Sequence, residues 1–87
     1  MKVAVWDTYV KRQDGVLMHF DILVDSNLTD ETKILSFGRT YLKSKRFKNG
    51  PLTSKECVFC HIENAPEEII IDIETKGYFI IEMENCN

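Results

Sequence analysis

The chain has 87 residues, 44% hydrophobic and 29% charged, with a net charge of -3. That is enough for one domain with a modest core, so a structural metal is permitted but not required. The negative balance argues against a nucleic-acid module built on positive potential. No run approaches the ~20 apolar residues that span a bilayer. The amino terminus, Met1-Lys2-Val3-Ala4-Val5-Trp6-Asp7, has no signal-peptide h-region, so a cytoplasmic location is expected, with reduced thiols and no membrane partner. Cys57, Cys60 and Cys86 are also an odd number, a poor fit to a secreted disulfide framework.

In chain order, residues 2–10 and 16–24 read as two strands joined around Asp14-Gly15, a strong hairpin signal. Val16, Met18, Phe20, Ile22 and Val24 fall on one face of the second strand, and Leu17, His19, Asp21 and Leu23 on the other. A two-residue turn predicts Tyr9 opposite Phe20, Asp7 opposite Ile22 and Val5 opposite Val24. Asp7 would then be the lone charge on an apolar face. His19, Asp21 and Thr8 form a His–Asp–hydroxyl group whose plain reading is a half-polar sheet face.

Residues 29–44 read as a helix, with Asp30 and Glu31 at its positive end, an apolar stripe of Ile34, Leu35, Phe37, Tyr41 and Leu42, and Gly38 as a weak point. A basic linker, 43–51, follows. Residues 66–76 read as a second helix, N-capped by Asn64 or Ala65 and stopped by Gly77, despite the β-branched Ile69-Ile70-Ile71 run. Residues 78–84 read as a last strand. The expected fold is a single two-layer α+β domain over 1–87: a β-hairpin, a helix, a short strand or helix at the cysteines, a helix and a final strand.

Cys57-Val58-Phe59-Cys60-His61 spells C-x-x-C-H, which as a bare pattern fits c-type haem, zinc or a redox dithiol. Thr53-x-x-Glu56 is a capping box that would start a helix, bringing Cys57, Cys60 and His61 to one face. The β-branched and aromatic content favours a strand instead, which would separate them. Haem is disfavoured by the missing export segment. Zinc would take Cys57, Cys60 and His61 with Cys86 or His19 as the fourth ligand. A dithiol needs a depressed thiol pKa, for which Lys43, Lys45, Arg46, Lys48 and Lys55 are candidates to supply the charge. The remaining reading is that the cysteines are small buried hydrophobes.

Residues 39–55 carry six Lys/Arg and no acid, whereas 61–87 carry seven Asp/Glu and one Lys. The basic run suits a phosphate or RNA partner, with Tyr41 and Phe47 for stacking. It suits equally the acidic third of the same chain or of a second copy in a homodimer.

Four segments together resemble a known family: Val5-Trp6-Asp7-Thr8-Tyr9-Val10, Met18-His19-Phe20-Asp21-Ile22, the stretch from Glu56 to Glu63, and the stretch from Gly77 to Met83. The similarity is to the DUF2024 family of small bacterial proteins, a domain of unknown function. The resemblance implies a stand-alone α+β protein and assigns no activity. The residues thus lead to a non-catalytic binding or accessory domain whose candidate site is Cys57, Cys60, His61 and Cys86. A thiol-redox or zinc-binding protein is the alternative.

Overall fold

The structure, a computed structural model, describes all residues 1–87. Its order is β1 (Lys2–Lys11), β2 (Leu17–Asp25), α1 (Glu31–Lys43), β3 (Cys57–Asn64), α2 (Glu67–Lys76) and β4 (Phe79–Glu84). The strands form one antiparallel sheet in the order β3-β1-β2-β4. No helix is long and apolar enough to cross a membrane.

The α+β class holds, but the layering differs from the two layers expected. β1 and β2 are apolar on both faces at one end, so each face needs a cover. On the first face Phe20, Ile22 and Val24 pack with Ala4, Val10 and the Ile34 and Leu42 side chains of α1. On the second, Val3, Val5 and Leu23 pack against Ile73 of α2. The result is three layers, with a helix on either side of the sheet. The β-branched Ile run becomes helix because Ile69 and Ile73, four apart, reach this second face together. Its N-cap is Pro66, without a side-chain cap bond, rather than Asn64 or Ala65.

The hairpin register also differs. Arg12 N–H donates to the Val16 carbonyl and Gly15 N–H to the Arg12 carbonyl, leaving three loop residues, with Gly15 at φ 89. The Asp14 side chain accepts from Val16 N–H at 3.1 Å and from Arg12 at 2.9 Å, which holds this longer turn closed. The added residue shifts pairing by one, giving Val5 opposite Leu23, Asp7 opposite Asp21 and Tyr9 opposite His19. Such a slip moves side chains to the other face of the sheet. Asp7 therefore leaves the apolar face.

Asp30 caps α1, its Oδ1 accepting from Thr32 N–H at 3.0 Å. Gly38 is the close approach that lets α1 meet the following loop: a Cβ there would lie 2.6 Å from a Leu52 methyl. The capping box forms as read, with Glu56 accepting from Thr53 N–H at 2.7 Å, but builds one turn only before β3 begins at Cys57.

Phe20 is fully buried at the centre of the first face. Phe20→Ala is expected to cost about 3–5 kcal/mol of unfolding free energy, read by urea denaturation. Gly77 ends α2 at φ 99, and a Cβ there would lie 2.8 Å from the Phe37 ring. Gly77→Ala is therefore also expected to destabilise, by about 1–2 kcal/mol in the same assay.

Candidate functional site

The cysteine motif lies on edge strand β3, so its residues divide between faces. Cys57 sits opposite Thr8 and is buried in the first-face core. Beyond it the ladder is irregular: Trp6 pairs with Phe59 but Val5 with His61, leaving Cys60 as an extra residue. This bulge turns the Cys60 thiol to the second face, beside the Asp7 carboxylate. There the Cys60 Sγ lies 3.1 Å from His61 Nδ1, and His61 Nε2 lies 2.7 Å from Glu63 Oε1. Cys86 is far along the chain and buried, its thiol donating to the backbone carbonyls of His19 (3.2 Å) and Glu84 (3.3 Å).

The expected ligand set of Cys57, Cys60, His61 and Cys86 therefore does not converge. Cys60 and His61 come together, while Cys57 and Cys86 are spent on the core. All three cysteines are free thiols. Burial pushes the Cys57 thiol pKa up. Desolvation and the Asp7 carboxylate push up that of Cys60. A redox or nucleophilic cysteine needs the opposite shift.

A different cluster forms on the second face. α2 covers only the Val3–Val5–Leu23 end of this face, leaving Asp7, His19 and Asp21 at the other end. The three side chains are half-buried, and their ligand atoms all lie within 4.8 Å of one another. The Tyr9 ring stacks on the His19 ring with centroids 4.1 Å apart, fixing its plane. His19 Nε2 stands 3.4 Å from Asp21 Oδ1 and 3.6 Å from Asp7 Oδ1. These are too long for good hydrogen bonds. Accordingly His19 Nε2 and Asp21 Oδ1 are shut off from solvent with no hydrogen-bond partner.

Of two carboxyl groups this close, one has its pKa raised by the other. Burial, with the neighbouring Asp7 charge adding to it, raises the Asp21 pKa to about 6. Asp7 is held below the usual carboxylate range, chiefly by its hydrogen bond with Asp21. Strand alternation alone puts His19 and Asp21 on one face, whereas a two-residue turn would put Asp7 on the other. The signal that would have found it is the Arg12–Asp14 pairing that favours a three-residue loop.

Two outcomes follow. The folded chain keeps the Asp21 proton to about pH 6, whereas an unfolded Asp loses it near pH 4. The Asp21 share of stability thus falls as pH rises from about 4 to about 6. Asp21→Asn should abolish that fall and leave the metal-free protein more stable than the parent at pH 7, as read by urea unfolding across pH. Separately, a thiol reagent should label one cysteine per native chain, Cys60, and three after denaturation. Fast labelling of two native thiols would contradict the placement of Cys57 and Cys86.

The fold has a solved counterpart. The NMR structure of protein NE1680 from Nitrosomonas europaea superposes with a TM-score of 0.85 at 45% identity, covering 100% of both chains. No curated protein matches this chain. The profile of a family described as a domain of unknown function, DUF2024, matches residues 1–83. On that match, over nearly its whole length, the chain belongs to the DUF2024 family.

Proposed function

We propose that this protein is a non-catalytic binding domain that holds a divalent transition-metal ion between Asp7, His19 and Asp21. The observation that carries this reading is the spacing around His19 Nε2, 3.4 and 3.6 Å from two carboxylate oxygens. Ligand bonds of about 2.0–2.2 Å in a tetrahedral site place neighbouring donor atoms about 3.3–3.6 Å apart. The cluster is thus too wide for hydrogen bonds and matches the edge of such a site. One imidazole and two carboxylates suit zinc, and also manganese or iron(II). A bound cation would give His19 Nε2 and Asp21 Oδ1 the partner they lack, and would offset the cost of two adjacent carboxylates.

The thiol reading has one observation in its favour, the hydrogen-bonded chain Cys60–His61–Glu63. Against it stand the raised Cys60 pKa and the absence of a partner thiol, since Cys57 faces the opposite core. Zinc is therefore assigned to the Asp–His–Asp cluster, with Cys60 and His61 beside it rather than as its framework.

Zinc at 100 times its Kd should stabilise the chelator-treated protein by about 2.7 kcal/mol. His19→Ala and Asp7→Asn should remove this effect, and Cys57→Ser should retain it, each followed by thermal unfolding with and without zinc. A parent protein whose melting temperature ignores zinc, manganese and iron(II) would overturn the reading.

A further inference from the structure

The α1 side of the molecule, around the hairpin turn, carries a charge arrangement that the metal site on the other face of the sheet does not use. Residues 45–53 run from the end of α1 past the β1–β2 turn, and backbone bonds pin them there. Gln13 N–H donates to the Lys48 carbonyl at 2.9 Å, and Gly50 N–H to the Lys11 carbonyl at 2.7 Å. Between this segment and α1 lies an open cleft of about 650 Å³, within the range that takes small molecules. Arg39, Lys43, Lys45 and Lys48 line it, and no acidic residue does. Lys11, Arg12 and Arg46 flank it on the adjoining surface.

Seven of the eleven cations thus gather at one end. The two carboxylates among them are committed: Asp14 to Arg12, and Glu82 to Lys45 and Tyr41. The rest of the chain holds four cations and twelve acids. The cleft is therefore a concentrated positive field on an acidic protein, and Arg39, Lys43 and Lys48 have no carboxylate partner. Arg39 is oriented by donating to the Leu52 carbonyl at 2.8 Å, which leaves its other N–H groups free. Phe47 supplies an apolar wall, held by the Arg12 guanidinium 3.9 Å from its ring centroid.

We infer that this cleft binds a small molecule bearing phosphate groups, of about nucleotide size, through Arg39, Lys43 and Lys48. The limited volume and pinned loop favour a compact ligand. An extended polyanion such as RNA would run from the cleft onto surface of its own sign. Arginine and lysine at one cavity, with an aromatic wall, suit phosphate oxygens next to a flat apolar group.

The test uses the full-length protein in chelator, titrated with sodium pyrophosphate and with ATP and followed by amide NMR shifts. Saturable shifts at Arg39, Lys43, Lys48 and Gly50 are expected, unchanged by His19→Ala. A Lys43→Gln/Lys48→Gln double variant should weaken binding roughly tenfold or more, and a Lys2→Gln/Lys33→Gln control should not. Three results would overturn the inference: no saturable shift, the same shifts from sulfate at matched ionic strength, or tighter binding of a single-stranded RNA oligonucleotide than of ATP.

Discussion

The arrangement of this molecule depends on the register of its first hairpin. One residue in the Arg12–Val16 loop decides which face each β1 side chain joins. With three loop residues, Thr8 and Val10 go to the α1 core while Val5, Asp7 and Tyr9 go to the other face. That single shift gives α2 an apolar footing at Val3, Val5 and Leu23. It also sets Asp7 beside Asp21 and Tyr9 against His19. With the shorter turn, Asp7 would lie buried among aliphatic groups at a cost no neighbour could offset. The register that spares the core this charge is also the one that assembles the cluster.

The two helices then divide the work unequally. α1 closes the first face, drawing in Leu52, Cys57 and Cys86. α2 closes only half of the second, and the polar cluster occupies what it leaves uncovered. Such a half-covered sheet face leaves His19 and Asp21 largely shielded while Asp7 stays partly exposed. The bulge at Cys60 adds the Cys60–His61–Glu63 chain to the same face. On the α1 side of the sheet the pinned 45–53 segment collects cations around the hairpin turn, on the other side from these carboxylates.

Much of this was legible in the residues. Alternation in Met18-x-Phe20-x-Ile22-x-Val24, the acidic pair Asp30-Glu31 at a helix start and the stop at Gly77 all act locally, within a few residues, and these elements fall within two residues of where those signals put them. The cysteine motif was harder to read. Thr53 and Glu56 do form their capping box, but Val58 and Phe59 pull the chain into a strand after one turn. Local signals for helix and strand met there, and pairing with β1 decided between them.

By itself, then, the sequence determined every element except β3, the α+β class, the family and the charge asymmetry, because these depend on neighbours in the chain. Tertiary structure decided which face each strand residue joined, that the helices lie on opposite sides, and that Cys57 parts from Cys60. It also brought Asp7 to His19 and Asp21. These depend on pairing register, on a single extra residue in a bulge and on how far a helix reaches across a sheet. Each is a small energetic choice between alternatives that the local pattern leaves nearly equal, resolved only when both faces must be packed at once.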